Sequence, residues 1–223
     1  MINSVDFHSS WRNKLARVRV RQHVNPLSSK YQQSIFVPDW SQIYSDLSLP
    51  FCLDLGCARG RFLLQIAQQY PEKNYLGIEI REALVDEANE IKTAQGLTNL
   101  HYLFANINNS LENLLASLPP NSLELVMIQF PDPWFKKKHH KRRVVQPEVV
   151  AILGKYLNPD GRIFIQSDIK ELAEEMCQTF LENPRFQCLI PEIWLEENPL
   201  GIMTEREIAT LNKGEGVYRT LIH

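Results

Sequence analysis

From Pro50 onward the sequence alternates short apolar runs with longer stretches of helical period, and that alternation restricts the chain to repeated βα units around a parallel sheet. Phe51 to Leu55 is the first run. It ends at a glycine turn, after which Phe62, Leu63, Ile66 and Ala67 give Arg61 to Tyr70 one apolar helix face. Asn74 to Ile80 reads as the second strand, Glu82 to Ala94 as the second helix and Leu100 to Phe104 as the third strand. Ser110 to Leu118 has helical period and is stopped by Pro119-Pro120-Asn121. Leu123 to Phe130 is almost continuously apolar, the pattern of a central strand covered on both faces, and it halts at Pro131. Gln146 to Leu157 reads as a helix closed by Asn158-Pro159-Asp160-Gly161, Arg162 to Gln166 as a strand, and Ile169 to Leu181 as a helix. Beyond these, a strand near Phe186 to Ile190, a helix starting at Thr204 and a last strand near Val217 to Leu221 complete the pattern. The expected fold is α/β, a mostly parallel central sheet with helices on both faces. Residues 50–223 form the domain and residues 1–49, with weak periodicity, a basic and partly flexible N-terminal arm.

The chain is long enough, at 223 residues and 44% hydrophobic content, to bury one full core. Its longest uncharged stretches are broken well before the roughly 18 apolar residues of a membrane span. Asp6, Arg12 and Lys14 interrupt the N-terminus, which therefore does not read as a secretory signal, and a cytoplasmic location is expected. Cys52, Cys57, Cys177 and Cys188 form no C-x-x-C pair and no regular spacing, so they read as reduced, mostly buried thiols. The net charge of −2 conceals an asymmetry. Twelve of the 24 Lys and Arg fall in two acid-free segments, Arg12 to Lys30 and Lys136 to Arg143, which leaves 12 cations against 26 acids elsewhere. Two basic patches on an otherwise acidic molecule suit a polyanion held at one face.

Residues 54–60 read DLGCARG, an acid at a strand end and then Gly56 and Gly60 opening a helix. Glycine lets backbone approach a ligand, and the helix N-terminus offers free N–H groups. The same letters also suit any tight βα turn. Glu79, closing the next strand, can accept both ribose hydroxyls of an adenosine ligand. Asn106, after the third strand, can pair with an adenine edge or cap a loop. Gly56-x-x-x-Gly60 is not the G-x-G-x-x-G of a nicotinamide site, and no GK[ST] marks a P-loop. Together the three positions resemble the Rossmann-like class I methyltransferase arrangement, which implies S-adenosyl-L-methionine as methyl donor.

After the fourth strand come Phe130-Pro131-Asp132-Pro133-Trp134-Phe135-Lys136 and then KKHHKRR at 137–143. This segment resembles the signature of the bacterial tRNA (guanine-N7)-methyltransferases, usually D-P-W-P-K followed by a basic run. Gln166-Ser167-Asp168, Thr204-Glu205-Arg206-Glu207 and Gly216-Val217-Tyr218-Arg219 extend the likeness over the chain from about Arg17. The resemblance implies that Asp54, Glu79, Asn106 and Asp132 line the donor pocket, with Asp132 also the catalytic candidate. It implies that Lys136, Asp168, Thr204, Glu205, Arg206 and Glu207 contact the substrate, and that Lys138, His139, His140, Lys141, Arg142 and Arg143 touch tRNA, helped by Arg12, Lys14, Arg17, Arg19 and Arg21. The reaction implied is methylation of guanine N7, at position 46 of the variable loop.

Three positions depart from the pattern. Ala58 stands where a third glycine is common, Phe135 replaces a proline, and Arg206 takes a place more often aromatic. Structural alternatives stand beside each assignment: Asp132 bracing its Pro-Asp-Pro turn, Asp168 capping the helix near Ile169, and Thr204-x-x-Glu207 forming a capping box. Trp134 either stacks on a base or packs beneath the loop. His139-His140 lack partners at metal spacing, so no metal is expected. The rival functions are methylation of another RNA and an inactive RNA-binding relative, and the oligomeric state is left open between monomer and homodimer.

Overall fold

The computed structural model describes residues 24–33, 35–188 and 194–223. Six strands, β1 (Phe51–Leu55), β2 (Asn74–Glu79), β3 (Leu100–Phe104), β4 (Leu123–Gln129), β5 (Leu157–Ser167) and β6 (Tyr218–Ile222), form one sheet in the order β3-β2-β1-β4-β5-β6. The first five pair in parallel; β6 closes the edge antiparallel to β5, with Phe164 opposite Leu221. Six helices connect them: α1 (Arg61–Gln69), α2 (Glu82–Ala94), α3 (Ile107–Ala116), α4 (Pro147–Tyr156), α5 (Lys170–Leu181) and α6 (Glu205–Leu211).

Side chains that alternate along each strand divide the core in two. Phe51, Leu53 and Leu55 of β1 point to the face covered by α3, α4 and α5, where Leu114, Leu153 and Phe180 are buried. Cys52 points the other way, into the cluster that holds Leu63 and Ile66 of α1 and Val85 and Ala88 of α2. This period-2 division lets a parallel sheet bury both faces. Trp40 and Tyr44 join the first cluster from the N-terminal side: the indole donates to Ser117 Oγ at 2.9 Å and the phenol to the Tyr75 carbonyl at 2.9 Å.

The expected elements of residues 50–188 and 204–223 are present with shifts that have local causes. Helix α3 starts at Ile107 rather than Ser110, because the Asn106 side chain accepts from the Asn108 N–H at 3.2 Å and caps the helix earlier. Asn158 to Gly161, expected as a turn, is absorbed into β5. Pairing with β4 jumps from Leu123↔Leu157 to Leu125↔Arg162, so the turn residues bulge out of a continuous strand. Of the strand expected near Phe186 to Ile190, the described part shows a single bridge from Cys188 to Ile222; residues 189–193 lie outside the described set.

The β1–α1 turn is fixed by two glycines of different kinds. Gly60 has φ 68°, and a Cβ there would lie 2.3 Å from the Tyr102 ring, whose hydroxyl donates to the Gly60 carbonyl at 2.6 Å. Gly56 has φ 90° with open space where a Cβ would point. Both positions carry a backbone cost for other residues, and only Gly60 adds a collision. Gly60→Ala is therefore expected to lower unfolding stability by about 3 kcal/mol and Gly56→Ala by about 1 kcal/mol, read from urea midpoints; equal losses would show that the Tyr102 contact does not constrain the turn.

Candidate active site

A cleft of about 760 Å³ opens at the carboxyl ends of β1 and β4. Here the strand order reverses direction, so the helices after β1 and before β4 lie on opposite faces and leave a crevice between them. Of the residues singled out in the sequence, Asp54, Gly56, Glu79, Asn106, Asp132, Asp168, Thr204, Glu205, Arg206 and Arg142 line it. Gly60, Lys136 and Glu207 do not, and the basic residues Arg12, Lys14, Arg17, Arg19 and Arg21 lie outside the described set.

Asp54, next to the last residue of β1, is buried, and burial pushes its carboxyl up to about 7, against a Gln129 amide that favours the ionised form; the Glu79 charge nearby adds to the rise. No cation among the described residues pairs with it. Glu79, also buried, is held differently. The Arg81 guanidinium grips it through Nε at 2.9 Å and Nη2 at 2.8 Å, while the backbone N–H groups of Ala58 and Arg81 donate at 3.0 Å each. Those four bonds fill the roughly four acceptor positions of a carboxylate. The expected ribose contact is thus open to a ligand only after Arg81 withdraws. Asn106 is likewise engaged: besides the cap, its amide nitrogen donates to the carbonyls of Pro26 and Tyr31 at 3.0 Å each. Its side chain ties the segment around residues 26–31 to the cleft wall.

Backbone strain clusters around the same cleft. Ala58, Phe130 and Trp134 have φ of 50°, 49° and 44°. Each left-handed non-glycine costs about 1–3 kcal/mol, and such positions persist where the surrounding structure fixes them. Phe130 and Trp134 bracket the Pro-Asp-Pro turn that presents Asp132. Trp134 lies under the loop: the Arg142 guanidinium sits 4.9 Å from its ring centroid and the His139 ring meets it edge-on at 5.8 Å. The basic run winds as a 3-10 helix over Lys137–Arg142. Lys136, Lys137, Lys138 and Lys141 are exposed, but Arg143 is turned inward, donating to the Pro133 carbonyl at 2.8 Å and pairing with Glu175. Arg143 thus braces the loop from within.

The first turn of α6 forms the opposite wall. Thr204 Oγ1 accepts the Glu207 N–H at 3.0 Å and the Glu207 carboxylate accepts the Thr204 N–H at 3.3 Å, so the capping box is real. Glu205 pairs with Arg61 of α1, and Arg206 with Asp168 through Nε at 2.9 Å. Asp168 consequently does not cap α5; Ser167 Oγ accepts the Ile169 N–H instead, at 3.1 Å. Glu207 is wholly buried against Arg219 at 3.0 Å and is not among the residues that line the cleft. The sequence reading missed Arg81, Gln129, Gln166 and Arg219. Gln129 and Gln166 carried a usable signal, since each places an amide at the carboxyl end of an apolar strand.

Asp54 makes the ligand-free protein sensitive to pH. A carboxyl whose folded value is raised stabilises the fold fully below the unfolded value near 4, and that stability is lost as pH rises through about 7. The loss is on the order of 4 kcal/mol. Asp54→Asn, which cannot ionise, is therefore expected to raise the melting temperature markedly at pH 8 and little at pH 4.5; an increment independent of pH would place the titration elsewhere.

Among the described residues, no group of three His, Cys, Asp or Glu could hold a metal ion, and no helix is long and apolar enough to cross a membrane. Residues 48–220 match a family model described as a putative methyltransferase. A tRNA (guanine-N(7)-)-methyltransferase of Synechococcus elongatus is 59% identical over 209 residues, covering 93% of this chain and 97% of that protein. The protein of the same name from Synechocystis sp. is 53% identical over 208 residues, with 93% and 98% covered. Among solved structures, PH0851 aligns with a TM-score of 0.57 at 14% identity over 79% of this chain and 44% of that one. The aminoglycoside resistance methyltransferase NpmB1 aligns at 0.55 and 16% identity over 86% and 96%. These two likenesses concern the fold alone, a Rossmann-like class I arrangement. The sequence matches, at this identity and coverage, go further: the chain belongs to the tRNA (guanine-N(7)-)-methyltransferase family.

Proposed function

We propose that this protein transfers the methyl group of S-adenosyl-L-methionine to N7 of a guanine in tRNA, at position 46 of the variable loop. The observation that carries the reading is the meeting, at one cleft, of the Asp54, Glu79 and Asp132 carboxylates with a helix turn on the far wall, and of Phe135 and Arg142, between which the chain carries four exposed lysines. The cleft volume is that of a small-molecule site. Its chemistry also fits the donor, because Asp54 is a buried carboxyl without a cation, and a ligand bearing a sulfonium and an ammonium supplies one. Asp54 and the glycine turn would hold the amino-acid end, and Glu79, once released by Arg81, the ribose.

The donor supplies an electrophilic methyl group. Guanine N7 carries a lone pair and no proton at neutral pH, so the protein needs no strong base and its task is alignment. Holding the two reactants in line is worth up to roughly 7–11 kcal/mol in well-aligned systems. Methylation leaves positive charge on the imidazole ring, and a fixed carboxylate beside it lowers the barrier. Asp132 is that group, held at the cleft by the strained turn. Phosphates of the tRNA meet the exposed lysines of the 137–142 turn.

Incubating the protein with labelled donor and unmodified tRNA, then mapping label by the strand scission that 7-methylguanine permits, tests the reaction. Label is expected at the variable-loop guanine, and Asp132→Asn should reduce the rate about a hundredfold. Label at another ring position, on another RNA only, or nowhere would end the proposal. A second experiment separates the loop's two kinds of cation. Changing Lys137, Lys138 and Lys141 together to Gln should flatten the salt dependence of tRNA binding by about two to three units of slope and leave donor affinity unchanged. Arg143→Ala should instead destabilise the fold by about 1–2 kcal/mol, because it removes the bond to Pro133 and leaves Glu175 half-exposed. An unchanged slope in the triple variant would remove the lysines from the RNA contact.

A further inference from the structure

The carboxyl ends of β4 and β5 and the start of β6 are joined to α6 by side chains rather than by backbone. Gln166 Nε2 donates to Gln129 Oε1 at 2.8 Å and to Glu207 Oε2 at 3.3 Å. Glu207 Oε2 also accepts from Asn198 Nδ2 at 2.9 Å, and Oε1 accepts from Arg219 Nη2 at 3.0 Å. Gln166 and Glu207 are completely buried and Arg219 nearly so, at 5% exposure. At its inner end the network reaches the donor side of the cleft, since Gln129 lines the cleft and its side chain leans on Asp54. At its outer end it holds the residue that completes the capping box of Thr204, so it sets where the Thr204–Arg206 turn stands.

As a way of stabilising a fold this arrangement is poor. Burying an ion pair costs desolvation that a well-packed apolar group of the same volume avoids. The network also leaves Gln166 Oε1 and Arg219 Nε buried with no hydrogen-bond partner among the described residues. Local arrangements that cost stability concentrate where function needs a fixed geometry. Here the fixed geometry is a four-residue turn spanning two walls: Glu205 reaches Arg61 beside the glycine turn, and Arg206 reaches Asp168 at the end of β5.

We propose that Gln166 and Arg219 are positioning residues that, through Glu207, hold the first turn of α6 at the distance from the donor subsite at which the acceptor base is aligned. The inference rests on the reading of the cleft as a methyl-transfer site. Gln166 spans from the donor wall to the acceptor wall with one amide nitrogen, and Arg219 fixes the Glu207 carboxylate so that it can cap Thr204. Neither side chain touches the reactants. Their loss should therefore spoil alignment, which enters kcat, and spare the phosphate contacts that dominate tRNA KM and the pocket that holds the donor.

The test uses the full chain with Gln166→Leu, Arg219→Met and Arg219→Lys, assayed at 15 °C on unmodified tRNA, with active sites counted by binding of S-adenosylhomocysteine. Per donor-binding site, Gln166→Leu and Arg219→Met should lose at least tenfold in kcat, with KM for tRNA and the dissociation constant for S-adenosylhomocysteine within threefold of the parent. Arg219→Lys, which keeps a cation against Glu207, should recover most of the loss. A kcat per binding site that is unchanged in both variants, whatever the melting temperature does, would reduce the network to a structural role and overturn the inference. Should Gln166→Leu fail to fold, the Arg219→Met and Arg219→Lys pair decides alone, equal kcat values in the two overturning it. An inactive parent protein that still binds S-adenosylhomocysteine would overturn the reading of the reaction, and this inference with it; an active parent with indifferent variants overturns the inference alone.

Discussion

A sheet ordered β3-β2-β1-β4-β5 cannot cover the carboxyl ends of β1 and β4, because the connections on either side of that pair run to opposite faces. Everything that follows depends on this gap. Three elements end at it with a polar group, Asp54 on β1, Glu79 on β2 and Gln129 on β4, and the loop after β4 brings Asp132 to its edge. Because the strands are buried on both faces, these groups sit at the floor of a low-dielectric crevice where charge is costly unless matched. The protein matches Glu79 with its own Arg81, whereas Asp54 has no cation paired with it among the described residues and its carboxyl is pushed up to about 7.

Charge is separated by depth as well as along the chain. Acids occupy the floor, paired cations such as Arg81, Arg142 and Arg143 organise the walls, and the exposed lysines ride on the short helix after Trp134. On the proposed reading a cationic donor suits the floor and a polyanion the rim, an arrangement in which the field would sort the two ligands before any specific contact forms. The first turn of α6 touches both regions, with Glu205 and Arg206 reaching opposite walls and Glu207 anchored below them.

Much of the architecture was legible in the sequence because its signals are local. Amphipathic period marked α1, α2, α4 and α5, and continuous apolar runs marked β1 and β4. The site was legible as residue types at strand ends. What could not be read is who holds whom. Arg143 looked like one more cation of a basic run, yet its partner Glu175 lies on α5 and turns it into a brace. Glu207 looked like a substrate acid until Arg219, on the last strand, was seen to bury it. Asn106 was read both as adenine partner and as cap, and the amide in fact makes the cap while holding Pro26 and Tyr31. Asn158 to Gly161 has every mark of a turn; that it bulges within β5 follows from pairing with β4, which the local sequence does not encode.

Burial holds the Asp54 carboxyl largely uncharged below about pH 7, and we propose that the cationic donor binds against it as a carboxylate. Calorimetric titration with S-adenosyl-L-methionine from pH 5.5 to 7, in buffers of differing ionisation enthalpy, measures this directly. Affinity is expected to rise about tenfold over the interval, with release of a proton on binding at the lower pH. Binding that is absent, or equally tight across the interval with no proton released, would contradict it.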